Sequence, residues 1–175
     1  MINSTLCYIE YGDYVLFLFR NKKKNDLNEG KYVGVGGKFL EGETSDECLI
    51  RETFEETGLK IHDYSFRGIV DFISDTWDDE KMHLYSAVLH GDEGIDIKTV
   101  LNTPAVELPA SKGAKGIKVP IDCNEGTLYL VKKADILLLN MWDGDVKFLE
   151  PLLKNETQIN MTLKYEGDTL VDYVN

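Results

Sequence analysis

Residues 44–58 constrain the fold more tightly than any other stretch. Thr44 and Glu47 make a T-x-x-E capping box, and Gly58 stands where a left-handed glycine ends a helix. The spacing predicts a helix from Ser45 to Thr57, with Ile50 and Phe54 turned towards a core. Glu52, Glu55 and Glu56 are three and four positions apart and share the opposite face. Like charges at that spacing cost roughly 0.2–0.5 kcal/mol per pair, and carboxylates in a last turn oppose the helix dipole. Arg51 offsets part of this through Glu47 and Glu55, each four residues away, but cannot serve every acid.

A solvated acidic face is one reading of that crowding. The other is a ligand set, because the acids sit where local rules disfavour them and follow a Gly36-Gly37 bend. Carboxylates, a backbone carbonyl and waters make a hard oxygen site suited to Mg²⁺, with Mn²⁺ as a substitute. Such a site implies metal-assisted attack of water on a phosphoryl group.

Elsewhere the chain alternates strands and short helices. Residues 6–20 predict a hairpin about Gly12-Asp13; 31–37 a strand entering a tight bend; 65–73 and 81–90 two strands joined by an acidic turn. Residues 126–131 read as a strand, "KADILLL" as a short helix, 145–154 as helix, and the tail as a hairpin about Glu166-Gly167-Asp168. Residues 91–119 show no sustained period and predict a long loop or insertion. The whole predicts one domain over residues 1–175, an α/β fold with a mixed β-sheet in an α/β/α sandwich.

A net charge of −12, with 31 acids against 19 bases, argues against polymeric nucleic acid as the partner. An anionic small molecule then needs local neutralisation, which a cation would supply. Cys7, Cys48 and Cys123 form no C-x-x-C pair and predict reduced thiols in a cytoplasmic protein. The N-terminus predicts no secretory signal, and the longest apolar run, Tyr14 to Phe19, is far short of a membrane span. His62, His83 and His90 have no ligand spacing, and no role is assigned to them.

Gly37, Glu43 and Arg51-Glu52-x-x-Glu55-Glu56-x-Gly58-Leu59, at these spacings, resemble the Nudix box. Thr53 is the one departure, standing where the box has a bulky aliphatic residue. The resemblance implies the Nudix fold and hydrolysis of a nucleoside diphosphate linked to another moiety. It assigns Glu52, Glu55, Glu56 and the Gly37 carbonyl to metal binding, gives Glu52 the preferred role in activating water, and makes Glu43 and Arg51 braces.

Flanking segments, including "IDCNEGTL", "MWDGD" and "YEGDTLVDY", are similar to MutT-like enzymes that hydrolyse oxidised purine nucleoside triphosphates. That likeness implies 8-oxo-dGTP as favoured substrate, nucleotide-pool sanitation as the role, and a monomer or homodimer. It places Glu125 near the metals, Trp142 as a purine stack, Asp145 (or Asp143) at the purine edge, and Phe72 in the base pocket. Lys23 and Lys38 would neutralise phosphates. The residue-level alternatives are an exposed turn carboxylate for Glu125, a half-buried surface aromatic for Trp142, core packing for Phe72 and solvated lysines. Val33 stands where animal-type relatives have a base-contacting Asn. Other substrates within the family are ADP-ribose, a dinucleoside polyphosphate or an RNA 5′ end; a non-catalytic nucleotide sensor is the reading from another class.

Overall fold

The computed structural model describes residues 1–175. Its centre is a mixed sheet built from β1 (Ile2–Tyr11), β2 (Tyr14–Phe19), β5 (Tyr64–Ser74), β6 (Glu80–Val88), β9 (Thr127–Lys132), β10 (Met161–Glu166) and β11 (Thr169–Val174). Two short strands, β3 (Tyr32–Val33) and β4 (Val35–Lys38), hang on β2 and β1. Strand β1 runs parallel to β6 and antiparallel to β2 and β4, so the sheet is mixed as expected.

Period-two alternation buries both faces of the central strands. Tyr8, Val15, Phe17, Tyr129 and Val131 pack on one face against α3 (Asp143–Leu153), through Phe148, Leu149 and Leu152. Cys7, Ile9, Leu16, Leu18, Leu128 and Leu130 pack on the other against Leu49 of α1 (Ser45–Thr57). Helices on both faces of one sheet give the α/β/α sandwich. No helix is long and apolar enough to cross a membrane.

Residues 91–119 differ from the expected loop. They contain α2 (Ile97–Leu101), β7 (Val106–Glu107) and β8 (Lys115–Lys118), and β8 pairs with β9 to extend the sheet. Ile97, Val100, Ile117 and Val119 are buried against the α1 side of the core. Elements of two to five residues are too short to display a hydrophobic period.

A second correction concerns α1. Ile50 and Phe54 are exposed, and Cys48, Leu49, Thr53, Glu56 and Thr57 form the buried face. The helix is rolled so that part of its acidic arc, not Phe54, faces the sheet. Phe54 lies instead beneath the Lys60 ammonium, 5.8 Å from the ring centroid.

Candidate active site

The helix is fixed at both ends by its sequence. Thr44 Oγ1 accepts the Glu47 amide at 3.2 Å, and Gly58, at φ 72°, closes the C-terminus by donating to the Phe54 carbonyl. Tyr85 on β6 ties down the first turn, hydrogen-bonding Ser45 Oγ at 2.8 Å and donating to Asp46 at 2.5 Å.

Strand β4 brings two glycines against the acidic arc. A side chain at Gly36 would collide with the Thr5 carbonyl across the β1–β4 pair. At Gly37 a Cβ would stand 2.6 Å from both carboxylate oxygens of Glu52, so only glycine leaves room for that acid. The Gly37 carbonyl accepts the Cys48 thiol at 3.4 Å.

Arg51 organises the acids, through Glu55 as expected but not through Glu47. Its guanidinium takes Glu43 in a two-point pair at 2.7 and 2.9 Å, reaches Glu52 at 2.7 Å and Glu55 at 3.2 Å, and donates to the Lys38 carbonyl. Glu47, expected as an Arg51 partner, instead accepts the Thr44 hydroxyl at 2.9 Å. The Arg51 hydrogen bonds hold Glu43 well below the usual carboxylate range, at about 2. Arg51 and Glu43 thus lock the loop before α1 onto its middle turn.

The three glutamates share an arc but not a depth. Glu55 is exposed, Glu52 half-buried and Glu56 buried. Burial pushes Glu56 up to about 9, with the charges of Glu125 and Glu52 adding to the effect. Burial also raises Glu52, against the pull of Arg51. Glu125 arrives from the turn before β9 and is held by Arg20 at 2.8 Å and Lys23 at 3.2 Å. Arg20 is in turn fixed by Asp26 at 2.7 Å.

A cavity of about 700 Å³ joins these groups to a second cluster. Gly37, Lys38, Glu52 and Glu125 line it together with Phe72, Trp142 and Asp145. Trp142 is buried rather than a surface aromatic: its indole N–H donates to Asn28 at 2.8 Å, its ring meets Tyr165 edge-on, and the Lys31 ammonium lies 4.6 Å from its centroid. Phe72 stacks on Tyr165 at 4.9 Å between centroids, so it both packs and lines the cavity. Asp145 sits in the first turn of α3, where burial pushes its carboxyl up to about 7; the Lys31 charge opposes the rise and Glu80 adds to it.

Of the expected substrate-binding residues two lie outside the cavity, and Glu43, Arg51, Glu55 and Glu56 do not line it either. Asp143 is exposed and does not line it, because the turn that buries Asp145 points its neighbour-but-one to solvent. Lys23 is occupied by Glu125 and is not a wall residue. Conversely, Arg20, Asn28 and Tyr165 line the cavity without having been singled out in the sequence. Arg20 and Glu125 are 105 positions apart, so no local pattern announces the pair. Val33 lines the cavity as an apolar patch, and Asn28 brings an amide to the same space.

The residues present fit a divalent cation. Glu56 is a buried carboxyl whose one hydrogen bond comes from the Gly36 amide, and Glu52 and Glu125 add oxygen donors nearby. His62 and His90, given no role from spacing, are brought together elsewhere: their rings stack at 5.4 Å beside Asp92 and Glu93.

The NUDIX domain family model matches residues 3–107. The uncharacterized Nudix hydrolase YvcI of Bacillus subtilis (strain 168) is 27% identical over 161 residues, covering 92% of this chain and 85% of its own. The MutT protein of Bacillus halodurans superposes with a TM-score of 0.75 at 24% identity, over 99% of this chain and 97% of that one. The NUDIX domain of Shewanella oneidensis NrtR, crystallised with ADP ribose, gives 0.61 at 15% identity, over 89% and 88%. At these identities the two superpositions speak for the fold.

Proposed function

The chain belongs to the Nudix family and is a hydrolase acting on pyrophosphate bonds, and from that premise we propose that it hydrolyses oxidised purine nucleoside triphosphates, with 8-oxo-dGTP favoured, to the nucleoside monophosphate and pyrophosphate. One observation supports this reading above the others. A single cavity, within the range of roughly 300–1,000 Å³ usual for ligand sites, has carboxylates at one side and an aromatic pair with a buried acid at the other. The first suits a cation-bound triphosphate and the second a purine.

Glu52, Glu55, Glu56, Glu125 and the Gly37 carbonyl would hold Mg²⁺, with Mn²⁺ as substitute. Bound there, the ion would polarise phosphate oxygens and acidify the attacking water. Glu52, raised by burial and aimed by Arg51, accepts the proton of that water. Attack at the β-phosphorus forms one P–O bond, and the bond to the α–β bridging oxygen breaks. Lys38 places positive charge at the cavity wall, where the phosphates lie. Trp142 supplies a face for the purine, and Asp145, whose buried carboxyl is pushed up to about 7, donates to its edge when protonated and only accepts when ionised.

A substrate panel tests this: 8-oxo-dGTP, dGTP, dATP and ADP-ribose, each with Mg²⁺, with products identified by anion exchange. Pyrophosphate from 8-oxo-dGTP at the highest kcat/KM is expected. Orthophosphate alone, or no triphosphate turnover, refutes the reading. ADP-ribose is the second reading, since a domain of the same fold, from NrtR, was crystallised with it.

A further inference from the structure

Away from the cavity, the loop that leads from α1 into β5 meets the turn that follows β6. His62 Nε2 lies 2.7 Å from Asp92 Oδ1 and 3.5 Å from Glu93 Oε2, and the three donor atoms all fall within 4.8 Å of one another. None of these residues lines the cavity. We propose that His62, Asp92 and Glu93 form a second cation site, separate from the nucleotide site, that takes one divalent ion of the zinc class.

Glu93 is the strongest sign. Its side chain has no exposed surface, yet its only fixed donors are the backbone amides of His90, at 2.7 Å, and Gly91, at 2.9 Å. No lysine or arginine is paired with it; the one cationic group it can meet is His62. A buried carboxylate without a permanent counter-charge is costly, and a metal ion is one of the few groups that relieves it. The amides also fix the direction in which its oxygens point.

The histidine side is equally prepared. The His62 ring stacks on His90 with an interplanar angle of 20°, and His90 is itself anchored through Nε2 to Asp63 Oδ2 at 2.7 Å. That stack orients the His62 nitrogen towards the two carboxylates. One imidazole nitrogen and two carboxylate oxygens are a donor set for a borderline divalent ion, and the His62–Asp92 pair, now at hydrogen-bond distance, would widen modestly to hold an ion at about 2.0–2.2 Å. His62 and Asp92 are about half and two-thirds exposed, which leaves an entry path and room for water. The ion would staple the start of β5 to the end of β6, where Lys60 N already donates to Glu93 O and Val88 N to Asp63 O.

The test uses the full chain carrying Glu52→Gln, Glu55→Gln and Glu56→Gln, which removes the three helix carboxylates proposed to hold the cation of the nucleotide site. Zinc binding is measured by equilibrium dialysis at pH 7.5, and melting by circular dichroism with and without zinc. One zinc ion per chain is expected, with a rise in melting temperature. Adding His62→Ala, or separately Asp92→Asn, weakens binding at least tenfold and removes that rise. Both positions are exposed, and unchanged far-ultraviolet spectra confirm folding. Absence of zinc binding in the parent variant, or binding that neither substitution weakens, overturns the proposal and leaves an ion-paired cluster.

Discussion

The backbone amide of Gly36 donates to Glu56 Oε2 at 3.3 Å, and this is the one hydrogen bond that the buried carboxyl of Glu56 receives. It joins the glycine strand to the helix and leaves the carboxyl without a cationic side chain, so the acid is held where it ionises only with difficulty.

A pH dependence follows from its sign. The folded-state pKa of Glu56, about 9, lies above the ordinary 4.5, so below about 4.5 the group costs nothing. As pH rises from 4.5 towards 9, the unfolded chain releases this proton while the folded chain keeps it, and stability falls across that window. Thermal melts with a chelator should show the decline in the wild type and a flatter profile in Glu56→Gln. Millimolar Mg²⁺ should restore the wild type at pH 8 and leave the variant unmoved; parallel profiles would refute this.

Gly37→Ala should disable the site while sparing the fold. The added methyl displaces the Glu52 carboxylate, and an ångström of misplacement typically costs on the order of 100-fold in rate. Steady-state kinetics should show kcat down by about that factor, with Mg²⁺ activation shifted to higher concentration. Full activity would show that Glu52 has no part in turnover.

Thr53→Val should stabilise the protein. Thr53 is fully buried at the position where the Nudix box has a bulky aliphatic, and its Oγ1 has no hydrogen-bond partner. Removing an unsatisfied buried hydroxyl without changing shape is worth about 1 kcal/mol. Denaturant titration should show a higher midpoint at unchanged slope.

Asp145→Asn should change which base is preferred more than how fast the chemistry runs. The carboxyl, pushed up to about 7, presents a donor and an acceptor when protonated and acceptors alone when ionised, whereas the amide presents both at every pH. The ratio of kcat/KM for 8-oxo-dGTP over dGTP should fall roughly tenfold or more, and its pH dependence around 7 should vanish. Trp142→Ala, by contrast, should raise KM for every purine alike.

What the sequence made legible is local. The capping box at Thr44 and Glu47, the stop at Gly58 and the spacing of the glutamates each act within a few residues, and each stands where expected. The helix roll was not local. Counting positions put Ile50 and Phe54 inside, but packing against β1 and β4 buries Leu49, Thr53 and Glu56 instead. Arg20 holding Glu125, Asn28 holding Trp142, and His62 meeting Asp92 are all pairings across long stretches of chain, created by the sheet order. Segment 91–119 hid its strands because β7 and β8 have two and four residues, and β8 is defined by its pairing with β9 rather than by its own pattern.

The most direct test is hydrolysis of 8-oxo-dGTP in ¹⁸O-water with Mg²⁺, followed by mass spectrometry of the products, for the wild type and for Glu56→Gln. The predicted result is one ¹⁸O in pyrophosphate, none in the nucleoside monophosphate, and loss of turnover in the variant. Orthophosphate as the sole labelled product, or a Glu56→Gln enzyme as fast as the wild type, would contradict the account.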